Sequence, residues 1–165
     1  MDIGNIINEY GNNHSPYVDR LVNHLPMAQW AVFKITNDLD KVEEYSNKFI
    51  KEHSLEDIDG YNKIDKNIKL TDCLGNRVMY EECCYIIEEM LKEKSLDDIV
   101  KEILNTYYLG ISSGLYHPII RLAYAVKGYE EYESMEKEVI RALSYFVTSY
   151  RESIVFNSYK PEYKC

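Results

Sequence analysis

Along most of the chain, apolar residues recur three or four positions apart, the spacing of one face of an α-helix. Residues 1–13 read as a short arm or weak helix interrupted at Gly11-Asn12-Asn13. Ser15 and Pro16 then look like a helix start, because Ser can cap and Pro fits the first turn. Tyr17, Leu21 and His24 would share one face of that helix, and Pro26 should kink or restart it before Met27 to Ile35. Asp38 to Glu52 predicts a second helix with Leu39, Val42, Tyr45 or Ser46, and Phe49 inward. Arg77 to Lys94 predicts a third, with Tyr80, Cys84, Ile87 and Leu91 inward.

Ser95 should cap a fourth helix carrying Leu96, Ile99, Ile103 and Tyr107 on its core side, helped by Asp98 in a weak capping box. A fifth helical unit holds His117, Pro118 and Leu122 to Val126, and a long last one runs from Met135 to Phe156. Between the second and third helices, residues 53–76 lack period and carry the turn signals Asp59-Gly60 and Leu74-Gly75-Asn76. Gly110 and Gly114 flank Ile111-Ser112-Ser113, where close backbone approach would favour glycine. No stretch alternates as a half-buried strand does. The pattern therefore predicts an all-α, compact bundle of about five to seven helices with one long irregular connection, in a single helical domain over 1–165.

Charge narrows the partners. Nineteen basic against 28 acidic residues give a net charge of −9, which repels phosphate backbones and anionic lipid surfaces. No apolar run approaches the ~20 residues that cross a bilayer, and the N-terminus lacks the basic start and apolar stretch of a signal peptide. The four cysteines, Cys73, Cys83, Cys84 and Cys165, form neither a zinc-type pattern nor a disulfide framework. Adjacent Cys83 and Cys84 are expected as a buried helical pair, and the expected setting is a reducing, cytoplasmic one. Sixteen tyrosines imply many hydroxyls that need partners near the core.

Candidate chemistry rests on the histidines. His53 sits among charged neighbours and reads as a surface residue, whereas His14, His24 and His117 keep apolar or helix-starting company. Imidazoles of this kind can hold iron(II) or zinc, and they equally serve as buried residues bonded to backbone or tyrosine. An unbroken helix would separate His14 from His24 by about 15 Å, so convergence needs a chain reversal, and His117 must arrive by tertiary packing. There is no HExxH, phosphate-cradling glycine loop or dinucleotide fingerprint, and no Glu-x-x-His of a di-iron bundle. Arg20 and Arg121 are candidates for an internal salt bridge or for steering an anionic oxygen.

Two strings, His14-Ser15-Pro16-Tyr17 continuing through Asn23-His24-Leu25-Pro26-Met27, and Gly114-Leu115-Tyr116-His117-Pro118-Ile119-Ile120-Arg121, resemble the questin oxidase-like family, over its N-terminal half only. That resemblance implies a helical fold and oxidation of anthraquinone-type aromatics. It also implies a mononuclear non-heme iron held mainly by histidines, here His14, His24 and His117, with Asn23 orienting a ligand or bridging backbone groups beside Pro26. A complementary subunit or a second copy would complete such a site.

The leading expectation is thus a non-heme iron oxygenase, or a subunit of one. It would act on a small aromatic or quinone-like molecule, with Tyr17, Tyr116 and Tyr124 lining the cavity. The alternatives are a non-catalytic helical interaction or assembly protein and a zinc-dependent hydrolase using the same histidines.

Overall fold

A computed structural model describes residues 1–18, 21–58 and 64–152. Its most buried element is the last helix, α7 (Glu136–Thr148), in which every residue from Glu138 to Thr148 is buried. The buried hydroxyls of Ser144 and Thr148 stay satisfied by back-bonding one turn, Ser144 Oγ to the Ile140 carbonyl at 2.9 Å and Thr148 Oγ1 to that of Ser144 at 2.7 Å. The helix stops at Thr148, short of the predicted Phe156; the predicted part from residue 153 onward lies outside the described residues.

Around α7 stand α4 (Tyr80–Met90), α5 (Leu96–Thr106) and α6 (His117–Glu131), which bury Ile87, Ile99, Ile103 and Leu122 against Val139, Leu143 and Phe146. The α4 helix is entered through a tight helical turn at Arg77–Met79 and followed by turns rather than helix, so it is shorter than predicted. Ser95 caps α5 as expected, accepting from the Asp98 amide. Cys83 and Cys84 lie buried in α4, and burial pushes the Cys84 thiol up to about 11.

The second cluster joins α1 (Ile3–Gly11), α2 (Leu25–Thr36) and α3 (Leu39–Glu52). The predicted weak arm is a well-made helix. Asp2 and Asn5 exchange side-chain-to-backbone bonds in a capping box, and Ile3, Ile6 and Ile7 are fully buried beside Trp30 and Met135. Truncating any one of those isoleucines to Ala would cost about 2–5 kcal/mol.

The helix predicted after Ser15 is absent. In its place β1 (Tyr17–Val18) pairs antiparallel with β2 (Leu21–Val22), in the register Tyr17–Val22 and Val18–Leu21. Ser15 Oγ accepts from the Tyr17 amide in a local turn instead of capping a helix. Buried Asn23 closes the reversal, donating to the Ser15 carbonyl at 3.0 Å and accepting from the Leu25 amide at 3.0 Å. Helix then resumes at Leu25 with Pro26 in its first turn.

The connection after α3 is irregular as predicted, although it includes a helical turn at Leu70–Cys73. Part of it is zipped to the hairpin's approach by backbone bonds from Ser15 to Glu56 and from Ile58 to Asn13. The turn predicted at Asp59-Gly60 lies outside the described residues. Among the described residues the architecture is an all-α bundle of seven helices with one long irregular connection and a single two-residue hairpin. No helix among them is long and apolar enough to cross a membrane.

Candidate functional site

The start of α6 and the loop before it hold the most unusual backbone. Gly114, Leu115 and Tyr116 take φ values of 54°, 54° and 67° in succession. The left-handed region suits glycine and penalises a side chain by roughly 1–2 kcal/mol. Two successive non-glycine residues there mark stored strain. The strained residues point outward, with Leu115 81 % and Tyr116 51 % exposed. His117 opens α6, and Pro118 fits its first turn. Ile120 and Tyr124, one turn apart on α6, share a helix face and are both exposed. Ile111, also exposed, lies just upstream, and Gly110 beside it is held against the Tyr150 ring, which a Cβ would meet at 2.3 Å.

The sequence carried a signal for this face that periodicity does not detect. From Ile103 to Tyr129 there is no Asp or Glu, in a chain that carries 28 acidic residues. The charged side chains in that run are Arg121, which is buried, and Lys127.

At the N-terminal end of α6 two of the predicted histidines meet. His24 stands at the start of α2, and its ring packs edge to face on that of His117, centroids 5.1 Å apart. The Gly114 carbonyl accepts from His117 Nδ1 at 2.8 Å, which leaves Nε2 without the proton in the neutral ring. Burial, and secondarily the charge of His117, lowers the His24 pKa; a bond to the Val22 backbone opposes the shift, and His53 adds to it.

His14 does not join them. The chain reverses as convergence required, yet His14 Nδ1 is held by Asp57 at 3.1 Å, within an isolated backbone bridge between the same two residues. Among the described residues no group of three or more His, Cys, Asp or Glu side chains is placed to hold a metal ion. The expected iron(II) or zinc centre, and with it the oxygenase and the zinc hydrolase, is therefore withdrawn. Two imidazoles without a third donor supply too few ligands for either metal.

The remaining candidates have structural partners. Tyr17 drives its ring into the core against Tyr80 and Tyr145, and its hydroxyl meets Thr148 Oγ1 at 2.7 Å and Ser149 Oγ at 3.0 Å. Asn23 bridges backbone groups beside Pro26, as described above. Tyr116 and Tyr124 line the exposed face, and Arg20 lies outside the described residues. Arg121 is buried and gives two N–H bonds to the Glu138 carboxylate, at 2.8 and 3.2 Å. Arg141 Nε reaches the same carboxylate at 2.9 Å.

The fold and the site thus define a small all-α bundle with a strained, exposed apolar loop at the start of α6, inside a run, Ile103 to Tyr129, that carries no Asp or Glu. No protein-family model, curated protein or solved structure matches the chain, and none of these comparisons connects it with the questin oxidase-like family.

Proposed function

We propose that the protein is a non-catalytic helical assembly module that pairs with a second copy of itself through the α6 face. The observation that carries this reading is Leu115, which is 81 % exposed in a left-handed conformation. A loop that bears backbone strain to hold an apolar side chain in water gains free energy only when that side chain is covered. Aromatic and aliphatic anchors with few charges are also what interface centres favour. The charge pattern selects a second copy as occupant. With a net charge of −9, two copies repel over most of their surfaces, and the stretch from Ile103 to Tyr129, which has no carboxylates of its own, is where they meet with the least of that penalty. A two-fold contact places the same face on both partners.

Sedimentation velocity across a concentration series tests this. The wild-type chain should shift from monomer to dimer as concentration rises, and Leu115→Asp should remain monomeric with its helical circular dichroism intact. A wild-type chain that stays monomeric throughout, or a variant that dimerises equally well, would overturn the reading.

A further inference from the structure

A single helical turn in the irregular connection and the regular helix α4 bring two thiols together, away from the α6 face. Cys73 ends the turn Leu70–Cys73, which packs on α4, and Cys83 lies near the start of that helix. Both are 0 % exposed, both belong to the core cluster around α7, and both are free thiols. The two side chains are hydrogen-bonded to each other, Cys83 donating to Cys73. On its other side the Cys73 sulfur faces the Lys69 carbonyl at 3.8 Å.

Helix geometry decides which of the adjacent cysteines can pair with Cys73. Successive residues of an α-helix are turned by about 100°, so Cys83 and Cys84 face different neighbours. Cys84 bonds with Ser144 and Tyr80, and burial holds its thiol protonated, with a pKa pushed up to about 11. A bond between Cys83 and Cys84 themselves would need their diverging side chains to turn toward each other, against disulfide geometry.

The contact also ranks the two partners as nucleophiles. The bond from Cys83 lowers the Cys73 pKa, against burial and the Glu82 and Asp72 carboxylates, which raise it. Cys83 is pushed well up, by the same bond first and by burial second. Thiolate, not thiol, attacks, so Cys73 is the first nucleophile. It is also the thiol nearer water in the chain, since its neighbours Thr71 and Asp72 are exposed. Opening one short turn of a connection costs less free energy than opening the bundle.

We propose that Cys73 and Cys83 are a modification site, which a hydroperoxide converts into a reversible disulfide tying the irregular connection to α4. The Cys73 thiolate attacks a peroxide oxygen. A sulfur–oxygen bond forms, the oxygen–oxygen bond breaks, and the departing hydroxide takes up the proton that Cys73 released. The Cys83 sulfur then attacks the Cys73 sulfenic acid. The disulfide forms, the sulfur–oxygen bond breaks, and water leaves with the Cys83 proton. Two thiols thus give two electrons to one hydrogen peroxide, which becomes two waters.

The test is peptide mapping of the folded full chain after millimolar hydrogen peroxide, with remaining thiols blocked by N-ethylmaleimide. Arg77 lies between the two cysteines, so trypsin places them on separate peptides, 70–77 and 78–92. These should appear joined, about 2 Da lighter than the sum of their thiol forms, from a chain whose helical circular dichroism is unchanged. Fragment ions should place the bond at Cys83 in the wild-type chain, and dithiothreitol should release it. Cys84→Ala should pair as the wild type does. Cys83→Ala should stop at a Cys73 sulfenic acid that dimedone traps, and Cys73→Ala should give neither product. The proposal is overturned if the peptides stay separate, if they join only in urea, if the fragments place the bond at Cys84, or if Cys84→Ala abolishes it.

Discussion

The rings of His24 and His117 meet edge to face, 5.1 Å between centroids, where α2 begins beside the start of α6. The contact makes the charge of one ring felt by the other. His24 is the ring whose pKa is lowered, by burial first and by His117 second.

A base with a depressed folded value stays neutral at pH values where the unfolded chain would already bind a proton. Its contribution to stability is full above the unfolded value of about 6.5 and is lost as pH falls through the lower folded value. An NMR titration of the His24 ring should therefore give a midpoint below 6.5. His117→Asn should move that midpoint partway back up, because burial remains. A midpoint at or above 6.5 in the wild-type chain would contradict this account of the pair.

The Glu138 carboxylate holds two guanidinium groups in the interior. Burial alone would raise its pKa, but Arg121 and Arg141 together outweigh burial and hold it below the ordinary 4.5. Glu138→Gln should cost about 3–5 kcal/mol in urea unfolding, since it leaves two buried cations without their counter-charge. The triad's contribution is present above pH 4.5 and is lost as pH falls through the lower folded value, so the variant should also show a shallower acid limb. A loss below about 1 kcal/mol would place the triad among pairs that offset only their own desolvation.

Leu115→Gly separates strain from surface. Glycine takes the left-handed conformation without penalty, so the monomer should gain up to about 1 kcal/mol. The same change removes the most exposed apolar side chain of the α6 loop and should weaken self-association at least about tenfold. Opposite signs for stability and association are the expected signature of a residue retained for contact, not for folding.

How much of this was legible in the sequence depends on the distance over which each feature is decided. Helices α3 and α5 announced themselves through Val42 and Ser46 and through Leu96, Ile99 and Ile103, because their stripes and caps are local. The α1 helix was underread as a short arm or weak helix, because Gly11-Asn12-Asn13 cut it short and its Asp2–Asn5 cap and Ile3, Ile6 and Ile7 stripe span barely two turns. The hairpin at Tyr17–Val22 was not, since Tyr17, Leu21 and His24 fit a helical face equally well. What decides the matter is distant: Tyr17 anchors to Thr148, 131 residues away. His24 and His117, expected as metal ligands, meet only as an edge-to-face ring pair. The expected third ligand failed because Asp57, arriving from the irregular connection, takes His14. The Arg121–Glu138 pair joins two helices, and the α6 face was visible only as a run without carboxylates.

Self-association through the α6 face is tested most directly by hydrogen exchange read by mass spectrometry at low and high protein concentration. Peptides covering Ile111 to Tyr124 should become protected as concentration rises, those of α3 and α5 should not change, and Leu115→Asp should abolish the effect. Exchange at Ile111 to Tyr124 that is indifferent to concentration, or protection that arises on another face, would contradict the account.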